Sequence, residues 1–275
     1  MKLVIAKITG FFINIIAYIS PNYAARLAIN LFSTPRKGKL TEEATNFLNS
    51  AFQEDVTFKN SSIMTYRWLG DKETILLVHG WESNSFRWKD LIESLKSQGF
   101  HVIALDAPAH GKSGGKSFNV IDYAECIYLV AKKFKVNIIV GHSLGGMAAV
   151  LFQYKYKLPN LRRIALLGAP SNYEGVFNRY INMMSYHKPL VKSINDFALK
   201  RFGNLPEYYD TAMFSNELNA KGLIIHDLGD NIIPYEDALD YSKNFREAKL
   251  ISTKNHDHSL KSEEIDKYII EFITD

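Results

Sequence analysis

The sequence predicts an α/β fold, with a mainly parallel twisted β-sheet covered by helices on both faces. Short, continuous apolar runs recur along the chain, and segments with helical spacing separate them. Unbroken apolar runs are typical of strands buried on both faces, and parallel neighbours need a crossover connection that is usually a helix. Ligands of such sheets bind at the carboxyl ends of the strands, so we expect the functional residues there.

The composition excludes several classes of protein. With 275 residues, 47% hydrophobic and 23% charged, the chain is long enough for one large domain or two small ones and too apolar for disorder. Cys126 is the single cysteine, so internal disulfides, Cys-based zinc sites and CxxC redox pairs are excluded. GKS occurs twice in residues 110–117, but a phosphate loop needs a glycine where Asp106 and His110 stand. No metal or other cofactor is predicted, since no HExxH or comparable spacing occurs.

The charge of the chain is concentrated near its N-terminus. The formal net charge is +4, and residues 1–41 hold six basic residues and no acidic one, which leaves 27 basic against 29 acidic residues from Glu42 onward. A nucleic-acid-binding domain usually carries a basic face, which this near-neutral body lacks. We therefore expect no nucleic-acid partner. The six basic residues are Lys2, Lys7, Arg26, Arg36, Lys37 and Lys39.

Residues 3–19 predict a helix that is apolar almost all round. Lys7, Gly10 and Asn14 recur at helical spacing as one narrow polar stripe, and Pro21 ends the segment. At about 1.5 Å per residue the helix reaches roughly 26 Å, the lower margin for a hydrocarbon core of about 30 Å. Three interpretations stay open: a helix packed on its own domain, a membrane-surface anchor, and a cleaved or spanning segment.

A second, shorter amphipathic helix is predicted over residues 23–32, followed by a linker rich in proline, glycine and charge. The chain is thus divided into an N-terminal helical extension, residues 1–41, and a body, residues 42–275. One free thiol and the lack of a clear cleavage site favour a cytoplasmic location. Association with the inner membrane surface through residues 1–34 is the alternative, and the sequence leaves the oligomeric state open.

The body begins with a predicted β-hairpin and then alternates strands with helices. The hairpin covers 56–60 and 63–69; the later strands are 74–80, 101–108, 137–143, 162–170, 222–227 and 248–253, and the helices are 86–99, 120–134, 144–157, 236–245 and 262–273.

The alternation breaks between about residues 171 and 221, where we predict an inserted helical cap. This insertion holds nine Phe or Tyr residues and two adjacent methionines, too many for a plain loop. Two interpretations stay open for its large apolar side chains: they line a tunnel for an apolar acyl group, or they pack the cap helices together. The side chains concerned are Phe177, Tyr180, Met183, Met184 and Tyr186.

A G-x-S-x-G sequence, residues 141–145, follows one predicted strand and opens a helix. This is the strand–turn–helix context of a nucleophile elbow, in which Ser143 occupies a strained turn and Gly141 and Gly145 leave room for the neighbouring backbone. A serine hydroxyl becomes a useful nucleophile when an imidazole takes its proton and a carboxylate orients that imidazole. Ser143 is therefore the candidate nucleophile.

Together with the elbow, three further motifs make the chain resemble the α/β-hydrolase superfamily from residue 75 to the C-terminus. They are His79-Gly80-Trp81, Asp106-Ala107-Pro108-Ala109-His110-Gly111 and Asp230-Asn231-Ile232-Ile233-Pro234, each after a predicted strand. Residues 21–39 also resemble the N-terminal leader of a bacterial branch of these hydrolases with an HGW motif. The resemblance implies a Ser-acid-His triad in that chain order.

Asp230 is the expected acid, since it closely follows a strand and stands in the family's D-x-x-[VI]-P position, and Asp227 is the alternative. His258 is the expected base when the loop is aligned from the preceding strand, and His256 is the alternative when it is aligned from the following helix. Asp257-His258 stands where relatives more often have Gly-His, which puts the geometry of this loop in question.

The oxyanion hole is expected to use the backbone N–H groups of Leu144, directly after the nucleophile, and of Trp81 in the HGW motif. The side chain of Trp81 either restricts the acyl pocket or packs between loop and cap. His79 is expected to have a structural hydrogen-bonding role, since the base of this fold comes last in the chain.

The sequence thus predicts a serine hydrolase that cleaves a carboxylic ester or thioester of a small molecule with an apolar acyl group, through an acyl-enzyme. The preference for esters rests on analogy with the fold. Two alternatives remain: a catalytically silent scaffold that binds a ligand or membrane, and a hydrolase of the same fold acting on a lactone or a carbon–carbon bond. Haloalkane dehalogenation is disfavoured, because it needs a carboxylate where Ser143 stands.

Overall fold

A computed structural model describes residues 2–275 of the chain and their side chains from residue 3 onward. Met1 and the side chain of Lys2, one of the six basic residues of the extension, lie outside the described residues. The chain forms two compact units. The sheet unit comprises Pro35–Ser171 and Thr211–Asp275, and the helical unit comprises Asn172–Asp210 with the described part of Met1–Thr34.

The helices of the described chain are α1 (Lys2–Ile19), α2 (Pro21–Ser33), α3 (Glu42–Leu48), α4 (Lys89–Ser97), α5 (Val120–Phe134), α6 (Leu144–Tyr156), α7 (Tyr173–Met184), α8 (Lys188–Phe202), α9 (Thr211–Ser215), α10 (Tyr235–Asn244) and α11 (Glu263–Thr274). The strands are β1 (Phe52–Phe58), β2 (Ser61–Trp68), β3 (Thr74–Val78), β4 (His101–Leu105), β5 (Ile138–His142), β6 (Arg163–Leu167), β7 (Lys221–Asp227) and β8 (Ala248–Thr253). Short 3₁₀ turns cover Ser85–Trp88 and Pro206–Tyr208.

The sheet unit contains one eight-stranded sheet with the order β1-β2-β4-β3-β5-β6-β7-β8. The hairpin of β1 and β2 is antiparallel and joins β4 in antiparallel fashion, whereas β3 to β8 pair in parallel. All five residues of the central strand β5 are buried, as expected for a strand covered on both faces. The predicted mainly parallel α/β sheet is confirmed, and the carboxyl ends of its parallel strands meet at one edge.

Local sequence explains where several helices of the sheet unit begin. Asn119 accepts a hydrogen bond from the amide of Asp122 at the start of α5, and Ser262 accepts one from Ile265 at the start of α11. Such side chains satisfy backbone donors that have no partner within the first turn. The apolar face of α11 then recurs every four residues, at Ile265, Ile269 and Ile273, and packs into the core under the sheet.

The helical unit joins two parts of the chain that are far apart in sequence. α1 and α2 pack against α7 and α8, which come from the region predicted as a cap insertion, and their contact forms a separate apolar core. Tyr180 ties the parts together, since its hydroxyl donates to the carbonyl of Ala28 at 2.8 Å and its ring stacks on Phe32 at 4.5 Å between centroids. The buried residues of this core are Ile13, Ala17, Ala24, Ala25, Ala28, Ile29, Phe177, Tyr180, Met184, Tyr186, Leu190, Ile194 and Ala198.

Four of the five side chains considered for an acyl tunnel are therefore packing residues of the helical unit. Phe177, Tyr180, Met184 and Tyr186 are buried in its core, whereas Met183 is 43% exposed. Within residues 2–275, no helix is both long enough and apolar enough to cross a membrane.

Candidate active site

Ser143 occupies a strained turn between β5 and α6. Its backbone angles are φ 52° and ψ −129°, a region that a residue with a side chain rarely adopts. A Cβ on Gly141 would lie 2.6 Å from Cα of Gly146, and a Cβ on Gly145 would lie 2.5 Å from the carbonyl oxygen of His79. The two glycines of the G-x-S-x-G sequence are therefore required by close backbone approach, and the turn presents the hydroxyl at the carboxyl end of β5.

The structure brings Ser143, His258 and Asp230 together. Nε2 of His258 lies 3.0 Å from Oγ of Ser143, and Nδ1 of His258 lies 2.6 Å from Oδ2 of Asp230. Because the carboxylate can only accept, Nδ1 of His258 carries the proton and Nε2 is left to accept from the serine hydroxyl. Ser143 is 6% exposed, and the side chain of Asp230 is fully buried. This arrangement can move a proton from the serine to the imidazole.

Asp230 is held as a carboxylate by its hydrogen-bond donors. Burial alone would raise its pKa, but hydrogen bonds from His226, from His258 and from the amides of Ile233 and Ile232 hold the pKa well below its ordinary value. Both amides donate to Oδ1, at 2.9 Å and 2.8 Å, which leaves Oδ2 to the histidines. The negative charge next to His258 is therefore fixed in place.

The two alternative residues have other partners. Nε2 of His256 lies 3.2 Å from a carboxylate oxygen of Glu264. Asp227 accepts hydrogen bonds from the Thr253 hydroxyl and from the amides of His256 and Gly229. The structure thus places His258 and Asp230 beside Ser143, and it places His256 and Asp227 in the support of the surrounding loop.

The loop that carries His258 has no glycine before the histidine, and Asp257 takes the conformation that glycine would favour. Its φ is +48°, in the left-handed region, where Asp is better tolerated than most residues. Its carboxylate accepts a hydrogen bond from the amide of Ser259 at 2.6 Å, which closes a local turn. The loop therefore brings His258 to Ser143 even though Asp257 stands where relatives more often have glycine.

His142 and Arg87 anchor the same loop from outside it, and sequence reasoning missed both roles. Nε2 of His142 donates to the carbonyl oxygen of His258 at 2.8 Å, and Arg87 donates to the carbonyl of Ser259 at 2.9 Å. Burial, then the nearby charges of Arg87 and His258, lower the pKa of His142 well below its ordinary value, so its ring is neutral. The position of His142, directly before the serine of the elbow, is the sequence signal that could have identified it.

The loop after β3 passes directly beside Ser143. A Cβ on Gly80 would lie 2.8 Å from Cβ of Ser143. Nδ1 of His79 donates to the Gly80 carbonyl at 2.7 Å, and Nε2 of the same ring accepts from the amide of Ala107 at 2.9 Å. The Gly80 carbonyl and the Trp81 N–H belong to one planar trans peptide, so fixing the carbonyl also fixes the direction of the N–H. Burial holds the pKa of His79 well below its ordinary value.

Two more residues lie close to Asp230 without having been singled out in the sequence. Gly168, directly after β6 and with φ +54°, leaves room for His258 and Asp230, since a Cβ there would lie 3.3 Å from Nδ1 of His258. His226 is buried in β7, and its Nε2 lies 3.0 Å from the carbonyl of Ile233 and 3.4 Å from Oδ2 of Asp230. Both residues lie near the carboxyl ends of predicted strands, but the sequence does not show that folding places them beside His258 and Asp230.

The fold and this site define an α/β hydrolase, and the comparison of families gives the same result. The sequence profile of the alpha/beta hydrolase fold matches residues 73–262. The chain belongs to this family.

Curated relatives match over part of the chain. Phospholipase YtpA of Bacillus subtilis is 28% identical over 110 residues, 37% of this chain and 42% of the relative. The monoacylglycerol lipase of Mycolicibacterium smegmatis is 27% identical over 106 residues, 35% of this chain and 37% of the relative. The matched segment thus spans less than half the length of these relatives.

Solved structures match over most of the chain. Alpha/beta hydrolase domain-containing protein 10 from mouse superposes with a TM-score of 0.62 at 17% identity, covering 82% of this chain and 97% of the other. A putative lipase from Acinetobacter baumannii gives a TM-score of 0.63 at 18% identity, covering 85% and 94%. At these identities the likeness concerns the fold.

Proposed function

We propose that this protein is a serine hydrolase that cleaves a carboxylic ester through an acyl-enzyme on Ser143. The observation that carries the proposal is the continuous hydrogen-bonded relay from the Ser143 hydroxyl through His258 to Asp230, at 3.0 Å and 2.6 Å. The names of the relatives, a phospholipase and a monoacylglycerol lipase, support ester chemistry.

In the first half of the reaction, Oγ of Ser143 attacks the carbonyl carbon of the ester while Nε2 of His258 takes the hydroxyl proton. Asp230 stabilises the resulting imidazolium and keeps its Nδ1–H directed at the carboxylate. The tetrahedral intermediate collapses by breaking the bond to the leaving alcohol, which receives the proton from His258. In the second half, water repeats these steps on the acyl-enzyme and releases the carboxylic acid and the free serine.

The oxyanion of the tetrahedral intermediate is proposed to lie between the backbone N–H groups of Leu144 and Trp81. Leu144 begins α6, so its N–H is one of the helix donors without a partner in the first turn. Trp81 N–H is oriented through the hydrogen bond from His79 to the adjoining Gly80 carbonyl. Removing one such donor typically lowers the rate by about 10²–10³-fold.

The substrate is proposed to be a small ester with an apolar acyl group. Leu228 and Ile232, on the loop that carries Asp230, are 48% and 58% exposed, so apolar side chains face solvent close to the acid. The site of Ser143 itself is nearly closed to solvent, which favours a slim substrate over an extended peptide.

The test uses a fluorophosphonate probe and a series of p-nitrophenyl esters from acetate to a long-chain acyl group. We expect the intact chain to be labelled and to cleave at least one ester, and Ser143→Ala to abolish labelling and lower kcat/KM by about 10⁴-fold or more. Ser259→Ala is the matched control, because that exposed serine lies beside the base without contacting Ser143, and it should keep most of the activity.

The base is tested by the pair His258→Gln and His256→Gln, of which only the first should lose activity. Labelling of Ser143→Ala at the wild-type level, or no labelling and no ester cleavage by the intact chain, would contradict the proposal. The second result would favour a silent scaffold of the same fold. Cleavage of a thioester or lactone in place of the oxygen esters would keep the triad and correct the substrate.

A further inference from the structure

α1 turns its polar stripe toward the rest of the helical unit. Gly10 is so close to α7 that a Cβ on it would lie 1.7 Å from the carbonyl oxygen of Met184. The side chain of Asn14 donates to the carbonyl of Ser185 at 2.9 Å and accepts from the amide of His187 at 3.2 Å. Two of the three polar-stripe residues are therefore used inside the unit, which reverses the usual orientation of an amphipathic helix.

The opposite side of α1 is apolar and open to solvent. Nine large apolar side chains on this one helix are between 42% and 85% exposed. Proteins that stay monomeric in solution rarely expose a contiguous apolar patch of more than about a few hundred Å², and larger patches mark interaction sites. The exposed residues, here called the outer face, are Leu3, Val4, Ile5, Ile8, Phe11, Phe12, Ile15, Tyr18 and Ile19.

The unit that bears the outer face also carries the excess positive charge of the chain. Residues 1–34 and 172–210 hold eight basic and four acidic residues, a net charge of +4, whereas the sheet unit balances 25 basic against 25 acidic residues. Six of the eight basic side chains are exposed, and none of those six has an ion-pair partner among the described residues. They are Lys7, Arg26, Lys188, Lys192, Lys200 and Arg201.

We propose that the outer face of α1 docks the protein on the surface of an anionic phospholipid membrane, with the helix lying in the plane of the interface. An interfacial helix inserts its apolar side about 5–10 Å into the boundary between headgroups and acyl chains, while basic residues contact the anionic headgroups. Lys7 lies on the same helix as the outer face and is exposed, so its ammonium group can reach that headgroup layer.

A second copy of the chain is the competing occupant of the outer face, and the charge argues against it. Pairing two outer faces would bring together two units that each carry a net charge of +4. An anionic lipid surface supplies both the apolar layer and the opposite charge. The observations therefore favour the membrane surface.

The test is flotation of the full chain with vesicles of phosphatidylcholine mixed with phosphatidylglycerol, compared with phosphatidylcholine alone. We expect the chain to bind the mixed vesicles and to bind the neutral ones more weakly. Salt should weaken binding to the mixed vesicles, because the Debye length shrinks from about 8 Å at physiological ionic strength to about 3 Å at 1 M. Phe12→Glu should lower the partition coefficient at least about tenfold, since it replaces an exposed aromatic side chain that would insert into the lipid with a charged one.

Phe52→Glu in the sheet unit is the matched control. Phe12 and Phe52 are the same residue type with nearly equal exposure, 58% and 60%, so both changes should leave the fold intact, but only the first should weaken flotation. Phe12→Trp and Phe52→Trp provide a second measurement that keeps an aromatic side chain. Brominated acyl chains should quench the added tryptophan at position 12 and not the one at position 52.

The proposal is overturned if the intact chain fails to float with the mixed vesicles, or if Phe12→Glu and Phe52→Glu float equally well. It is also overturned if neutral and anionic vesicles are bound equally, or if the intact chain is a dimer in solution that Phe12→Glu converts to a monomer. Neither measurement uses ester cleavage, so failure here and failure of the proposed function are distinguishable.

Discussion

The helical unit and the sheet unit differ in where they leave apolar surface and charge. The helical unit is about a quarter of the chain, yet it holds fourteen of the twenty large apolar side chains that are exposed among the described residues. All eight ion pairs between Lys or Arg and a carboxylate that the described side chains form lie in the sheet unit, which has no net charge.

Two helices make the contrast concrete. α11 follows the ordinary rule, with its isoleucines buried under the sheet and Glu263 and Glu264 exposed in its first turn. α1 directs Gly10 and Asn14 inward and leaves Phe11 and Phe12 outside. The sheet unit thus holds Ser143, Asp230 and His258, whereas the helical unit carries the exposed apolar outer face of α1. Catalysis and surface binding should therefore respond to different substitutions.

Asp230→Asn is expected to have the largest effect that is confined to one unit: it should lower activity and leave membrane binding unchanged. The amide can still accept from the Ile232 and Ile233 amides, but its NH₂ group faces Nδ1 of His258 and favours the wrong tautomer of the imidazole. We expect kcat/KM to fall by about 10⁴-fold, with vesicle flotation unchanged. Asp196→Asn, the same change at an exposed position of α8, should leave the activity at the wild-type level. Loss of flotation together with activity in Asp230→Asn would show that the two units are not separable.

A smaller effect is expected in the stability of the sheet unit at acid pH. His79 and His142 are buried in the sheet unit, and burial lowers the pKa of each well below its ordinary value. Their folded-state pKa is thus depressed, so the unfolded chain binds more protons below about pH 6.5 and stability falls as the pH falls, by about 1.4 kcal/mol per pH unit for each histidine. Asp266, whose pKa burial raises to about 6, acts in the opposite direction below that pH.

We therefore expect the free energy of unfolding to fall by about 1.5 kcal/mol between about pH 7.5 and about pH 6. Urea unfolding followed by tryptophan fluorescence measures the sheet unit, because all three tryptophans, Trp68, Trp81 and Trp88, lie in it. His142→Gln can keep the hydrogen bond to the His258 carbonyl and should make the loss smaller, because one of the buried histidines that take up a proton on unfolding is then absent. An unchanged pH dependence in this variant would mean that His142 does not titrate on unfolding.

Local motifs made the fold and much of the candidate site predictable. The elbow at Ser143 is specified by adjacent glycines, and Asp230 by a short loop after β7. Alignment from the preceding strand favoured His258 over His256, but the sequence left the geometry of the loop in question, because that geometry depends on how the chain turns at Asp257. The anchor from His142 to the His258 carbonyl spans 116 residues, and the contact of Asn14 with Ser185 spans 171. Periodic patterns in the sequence predict local structure, and they do not predict contacts between residues this far apart.

The orientation of α1 illustrates the same limit. Its stripe of Lys7, Gly10 and Asn14 predicted a polar side, and a polar side normally faces water. In the structure the gap left by Gly10 lets α7 approach, and Asn14 satisfies backbone groups at the α7–α8 turn. The energy of these contacts depends on a partner helix more than 160 residues away, so the amphipathic pattern alone gave no indication of which side would face solvent.

Gly10→Ala is the smallest of the expected effects and tests this orientation directly. Alanine favours a helix over glycine by up to about 1 kcal/mol, but overpacking costs about 1–3 kcal/mol, and here the added Cβ would meet the Met184 carbonyl oxygen at 1.7 Å. We expect a net loss of about 1 kcal/mol in the stability of the helical unit.

Hydrogen exchange followed by mass spectrometry should show faster exchange in peptides from α1 and α7 of Gly10→Ala, and an unchanged tryptophan-detected transition of the sheet unit. Ile5→Ala, on the exposed side of the same helix, is the control and should leave exchange in α7 as in the wild type. If Gly10→Ala instead slows exchange in α1, helix propensity outweighs the clash, and the close approach of α1 to α7 is not what holds the polar stripe inward.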